Sequence, residues 1–216
     1  MIENMGLAFT LTLLAGLATT LGGAIAFAIK PDNLRALSVG LGFSAGVMIF
    51  LSLTEIIPSA KESLSVNFPN SHEWLVFASF IIGIIIAVLI DYFLPDHIDE
   101  EELLHPDDPC LHHHKIKKAG IFTAIAICVH NFPEGMATFL TTTQSIQLGL
   151  SVALAIAIHN IPEGIAVAMP IYHITSKRRY AMLYASLSGL TEPLGAFLGM
   201  FLIKFLFPEM LVGFML

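Results

Sequence analysis

Charged side chains are scarce in this chain. Asp, Glu, Lys and Arg make up 12% of its 216 residues, while 56% are hydrophobic and the mean hydropathy is +0.79. A soluble domain of this size could not hide so much apolar surface, so the composition points to an all-α, polytopic membrane helix bundle. Basic charge is scarcer than acidic: the formal charge is −7, and much of the acid sits between Asp91 and Asp108. Nucleic-acid binding therefore has no support. There are only two cysteines, Cys110 in a hydrophilic stretch and Cys128 in an apolar one, which gives no disulfide framework. A basic n-region is missing as well. The first apolar run, Gly6–Ile29, follows an acid, Glu3, and is too long for a signal peptide's h-region, so it reads as a spanning helix.

What is there is a series of long apolar runs. At 1.5 Å per residue, about 20 apolar residues cross a hydrocarbon core of about 30 Å. Six runs qualify: roughly Gly6–Ile29, Ala36–Ile57, Trp74–Leu94, Gly120–Thr143, Ile146–Pro170 and Tyr180–Phe207. Together they make residues 1–216 a single transmembrane domain. Pro31-Asp32-Asn33, Pro69-Asn70-Ser71, Pro95-Asp96 and Pro208 punctuate the joints. The joint between the fourth and fifth runs, around Thr143 to Ser145, is so short that those helices should be antiparallel neighbours. Lys30, Arg35, Lys115, Lys117, Lys118, Lys177, Arg178 and Arg179 fall on one side, against Lys61 and Lys204 on the other. The positive-inside rule then puts the first loop in the cytoplasm and both termini outside. After Pro208-Glu209 a further apolar run, Met210–Leu216, begins and the sequence stops; seven residues cannot span, so this is either the start of a longer segment or an interfacial tail.

Three glutamates lie where lipid should meet hydrocarbon. Glu134, Glu163 and Glu192 fall about 14, 17 and 12 residues into their runs, near the middle of the core. A carboxylate there costs about 2.5–3.5 kcal/mol on insertion scales and usually faces the bundle interior or a water-filled path. Two of the three belong to a repeated string: HNFPEG at His130–Gly135 and HNIPEG at His159–Gly164. His130 and Glu134 are i and i+4, on one helix face, and so are His159 and Glu163. Two imidazoles and two carboxylates from adjacent antiparallel helices form a four-ligand set for a divalent transition metal. Asn131 and Asn160 point about 100° away from their histidines. With Glu192, and with one glutamate bridging, they can form a second, weaker metal position, which would suit an ion that must leave. Pro133 and Pro162 deprive the carbonyls of Val129 and Ile158 of their helical partners, and Gly135 and Gly164 permit close helix approach. Singly, an intramembrane His is often a hydrogen-bonding residue and a Pro only a kink. Doubled, and joined by a third buried acid, they favour a metal.

Other polar positions say less. Glu55, in SLTEIIP near the outer end of the second run, is either an entrance ligand or simply solvated. Asp91 reads as solvated, and His72 and His173 as ordinary loop-proximal residues. The cytoplasmic loop 95–118 carries His97, His105, Cys110, His112, His113 and His114 among acids. It has the composition of a flexible metal-collecting segment and also of any solvated loop.

The tandem HNFPEGMATF and HNIPEGIAVA, with SGLTEPLGA in the sixth run and SLTEIIP in the second, resemble the ZIP family of divalent-metal transporters, in its bacterial ZupT/GufA-like branch. The resemblance runs along the whole chain. It implies an eight-helix carrier, of which six spans are present here and the last two are not, with its N-terminus outside and usually a homodimer. It implies transport of zinc, and of Fe2+, Mn2+, Co2+ or Cd2+ in varying degree, into the cytoplasm across the cell membrane through a binuclear centre. By motif position His130, Glu134, His159 and Glu163 match the first metal position. Asn131, Asn160 and Glu192, sharing Glu134 and Glu163, match the second. Two other readings stand beside it. An intramembrane metal-dependent hydrolase would want three ligands and an open water position, but the usual HExxH is absent and the chain reads as no enzyme. A metal sensor would bind without flux.

Overall fold

The computed structural model describes residues 4–29, 34–93 and 109–205, and among these every regular element is helical. In chain order they are α1 (Met5–Ile25), prolonged by a 3-10 turn at Ala26–Ala28; α2 (Leu34–Leu51); a π-helical turn at Ser52–Ile56; α3 (Ile57–Ser65); α4 (His72–Phe93); α5 (Pro109–Gln144); α6 (Ile146–Thr175); and α7 (Arg178–Phe205). With α2, the π turn and α3 taken as one rod, six helical segments stand where the six apolar runs were read.

Three boundaries differ from that reading, the fifth segment running through Pro170 to Thr175. The second segment continues to Ser65 rather than stopping at Ile57, because Pro58 does not end the helix but shifts its register. Lacking an N–H, Pro58 cannot serve the Thr54 carbonyl, and the chain takes up the mismatch as the π turn just before it. The fourth segment starts at Pro109 rather than Gly120, inside the stretch expected to be loop. Proline is well suited to the first helical position, and no further breaker occurs until Gly120, so the helix extends outward from its apolar run. Pro133, Pro162 and Pro193 all lie inside unbroken helices. Residues 94–108, and with them His97, His105 and most of the acidic loop, lie outside the described residues, as do residues 206–216.

Among the described residues, four segments are long and apolar enough to cross a membrane: Met5–Ala28, Leu37–Ser65, His72–Leu89 and Ile146–His173. α5 and α7 have the length, but His130, Asn131 and Glu134 in one and Thr191 and Glu192 in the other interrupt their apolar runs. Those two helices spend their polarity inside the bundle. α6 is its centre, with 67% of its apolar window buried, against 6% for α4. Ile81, Ile82, Ile85 and Val88 of α4 are exposed, as expected of a helix whose solvent is lipid.

α1, α5, α6 and α7 pack together, with α2 against α6 and α3 paired with α4 at the side. Small residues make this possible. A Cβ at Gly135 would strike the Glu192 backbone, one at Gly164 the Thr19 carbonyl, and one at Gly16 the Gly189 carbonyl, so these helices meet backbone to backbone. A single residue, Ser145, turns α5 into α6; its Oγ caps α6 by accepting from the Leu148 N–H at 3.3 Å. This hairpin marks one end of the bundle. The other, basic end holds Ile29, the start of α5 and the Ser176–Lys177 turn, where Ser176 closes α6 at φ 51°.

Apolar clusters lie towards both ends: Ala8, Met136, Phe139, Leu140 and Ala196 near the hairpin, and Ala26, Val167, Ala168, Ile171, Ala181 and Ala185 near the basic end. The polar residues lie between them.

Candidate metal centre

Both HNxPEG strings fall inside this polar layer. Because His130 and Glu134 share one face of α5, the His130 Nε2 lies 3.1 Å from Glu134 Oε1. His159 reaches the same oxygen from α6, again at 3.1 Å, and its Nε2 is 3.2 Å from Glu134 Oε2. Glu163 Oε1 lies 3.5 Å from His130 Nε2, and donor atoms of His130, His159 and Glu163 all fall within 4.8 Å of one another. Zinc held tetrahedrally at about 2.0–2.1 Å places its ligand atoms about 3.3 Å apart. The observed separations bracket that value.

Burial is uneven. His159 is fully buried, Glu134 and Glu163 nearly so, while the His130 side chain is 49% exposed and forms the open side of the cluster. His159 is also held: its Nδ1 is 3.1 Å from the Ala155 carbonyl, and the Ser44 hydroxyl donates to the carbonyl of His159 itself at 3.3 Å. A proton on Nδ1, donated to Ala155, leaves Nε2 with a lone pair aimed at Glu134.

The other three sequence-predicted residues line the α7 side. Asn160 donates its amide to Glu192 Oε1 and to the Ala15 carbonyl of α1, the latter at 2.9 Å. Asn131 donates to the Ser188 carbonyl at 3.3 Å rather than to Asn160 or Glu192. All three side chains are fully buried. Among the described residues, six buried side-chain polar atoms have no hydrogen-bond partner, and five belong to this cluster: Asn131 Oδ1, Glu134 Oε1, Asn160 Oδ1, Glu163 Oε2 and Glu192 Oε2. Oxygen acceptors left unpaired in a buried layer are costly, and a cation is one partner that would satisfy them.

Glu55 sits half-buried in the π turn and is not among the groups that converge. His72 accepts no role beyond a 3.1 Å contact of its Nδ1 with the Pro69 carbonyl, and His173 is exposed. The side chains of Asp91, Cys110, His112, His113 and His114 lie outside the described residues. Cys128 is a free thiol 3.6 Å from the Ser188 hydroxyl.

Sequence reasoning missed the part played by α1 and by Ser188. A signal existed for α1: its buried residues, Ala8, Thr12, Ala15, Gly16, Thr19, Gly22 and Gly23, are all small and recur at helical spacing. For Ser188 there was none, because it is its main-chain carbonyl that holds Asn131.

The profile of the family described as ZIP Zinc transporter matches residues 94–211, which contain every residue of the cluster. Full-chain relatives agree. The zinc transporter ZupT of Campylobacter jejuni is 46% identical over 91% of this chain and 76% of its own. Those of Chlorobaculum parvum and Clostridium perfringens are 45% and 41% identical, over 99% and 100% of this chain and 81% of theirs. The chain belongs to the ZIP zinc transporter family.

Proposed function

We propose that this protein carries zinc across the cell membrane into the cytoplasm, binding it in a binuclear centre at mid-bilayer. His130, Glu134, His159 and Glu163 hold the first ion. Asn131, Asn160 and Glu192, sharing Glu134 and Glu163, hold the second. The observation that carries this reading is the position of Glu134 Oε1, buried 3.1 Å from two imidazole nitrogens on different helices, at separations that ligand atoms of one zinc ion would have. That the relatives are zinc transporters supports zinc as the cargo.

Buried carboxylates in a membrane need compensation, and a dication supplies it. Nitrogen and carboxylate oxygen suit zinc and, less selectively, Fe2+, Mn2+, Co2+ and Cd2+. The neutral carboxamides of the second position bind more weakly, which lets the ion move on. The excess of Lys and Arg in the loops at one end supports that end as cytoplasmic, and so supports inward transport. A homodimer fits the family pattern.

The test is zinc uptake into reconstituted vesicles by the wild type and by Glu134→Ala and Glu163→Ala. Both variants should lose most uptake. Unchanged uptake in both would remove the proposed centre.

A further inference from the structure

The sixth buried orphan atom lies outside every ligand set named so far. It is the Oγ1 of Thr19 on α1, a residue with no exposed surface. Its isolation has a specific cause. Most threonine hydroxyls in the helices take the carbonyl four residues back, as Thr10 bonds Gly6, Thr12 Ala8, Thr54 Phe50, Thr138 Glu134 and Thr175 Ile171, whereas Thr143 and Thr191 take the one three back. By that rule Thr19 would bond Ala15. The Ala15 carbonyl instead accepts the amide of Asn160 at 2.9 Å. The Thr19 hydroxyl is left without a partner by the hydrogen bond that orients a residue of the proposed centre.

Its location is equally specific. α1 and α6 run parallel in one register, with Ala15 beside Asn160, Thr19 beside Gly164 and Gly23 beside Ala168. Gly164 directly follows Glu163. On the α7 side, the Thr19 Cβ lies 3.1 Å from where a Cβ of Gly189 would sit, one turn before Glu192. Thr19 thus occupies the crossing of α1, α6 and α7, one turn beyond Asn160 towards the basic end.

We propose that the Thr19 hydroxyl is a further oxygen donor to the transported ion, placed on the inner side of the Asn160–Glu192 pair. The proposal rests on the binuclear reading above. A neutral hydroxyl oxygen coordinates without adding charge. It holds a cation leaving two carboxylates and lets it go again.

Thr19→Val removes the oxygen at nearly constant volume, Thr19→Ser keeps it, and Thr19→Cys replaces it with a softer sulfur. Zinc and cadmium uptake by these variants would be measured in vesicles, with equilibrium binding of both ions to the purified full chain and with Glu134→Ala in parallel. Thr19→Val should raise the KM for zinc by about three- to ten-fold, and Thr19→Ser should stay within about two-fold of wild type. Thr19→Cys should raise the ratio of cadmium to zinc affinity, because thiolate ligands favour softer ions. A role in packing alone would leave that ratio at the wild-type value, and that result overturns the proposal, as does a Thr19→Ser variant as impaired as Thr19→Val. Glu134→Ala separates the two readings: full uptake there rejects the centre itself, whereas loss there beside unchanged Thr19 variants rejects only the hydroxyl.

Discussion

His159 Nε2 and Glu134 Oε1, on adjacent antiparallel helices and 25 residues apart in sequence, lie 3.1 Å from each other in the middle of the bundle. The single-residue elbow at Ser145 sets this pairing, because it fixes how far α6 can slide along α5. Gly149 lies against Thr142 just beyond the elbow, so the helices are already in close contact there. The electrostatic centre is thus indexed to a turn several helical turns away.

The two histidines should not contribute equally. His159 is fully buried and held by the Ala155 carbonyl, whereas the His130 side chain is half exposed. His159→Ala should weaken zinc binding by more than about ten-fold, and His130→Ala by clearly less. Calorimetric titration of the purified variants would measure this, and equal losses would show that preorganisation of His159 contributes nothing.

Imidazole and carboxylate bind a metal only in their deprotonated forms, so protons and zinc compete for the cluster. Zinc affinity should therefore fall as pH is lowered and rise towards a plateau as it is raised. Removing both His130 and His159 should flatten the curve. Zinc titrations across pH, on wild type and the double alanine variant, provide the check.

Glu192→Gln keeps an oxygen to accept the Asn160 amide while removing the charge. It should leave the fold intact and abolish the weaker of two binding phases, since Glu192 belongs only to the proposed second position. Stoichiometry by metal analysis after dialysis would fall by one ion per chain. An unchanged count would argue against a second position at Glu192.

Zinc should also raise the melting temperature of the wild type. A ligand bound only by the native state stabilises it by about 2.7 kcal/mol at a hundred times its Kd. Chelation should reverse the shift, and Glu134→Ala should show little of it. Thermal unfolding in detergent with and without a chelator would decide.

Packing makes a prediction independent of metal. Gly135→Ala places a methyl into the Glu192 backbone, while Gly83→Ala on lipid-facing α4 meets open space. Overpacking of this kind costs about 1–3 kcal/mol, so the first variant should melt lower and the second should match wild type.

Much of the candidate cluster was legible in sequence because its signals are local. The i and i+4 spacing within each HNxPEG copy already puts His and Glu on one face, and the short joint already makes the two helices antiparallel neighbours. Glu192 announced itself by being an acid in an apolar run. Even the helix boundaries were close, except where Pro58 shifted the register to a π turn, where α5 extended back to Pro109 and where α6 ran through Pro170 to Thr175. Glycines at 135 and 164 were readable as contact points, although the partners they touch were not.

The sequence by itself determined that six helical segments form, that four of them are apolar enough to cross a bilayer, and that His and Glu pair on one face within each HNxPEG copy. Periodicity and composition act within one segment, so these follow without knowing the packing. Only the tertiary structure decided that α1 enters the centre through the Ala15 carbonyl, that Ser188 holds Asn131, and that Thr19 is left unpartnered. Each of these depends on the rotation and register of one helix against another. A main-chain carbonyl is chemically identical at every residue, and what it touches is settled by the small side chains that let two backbones meet.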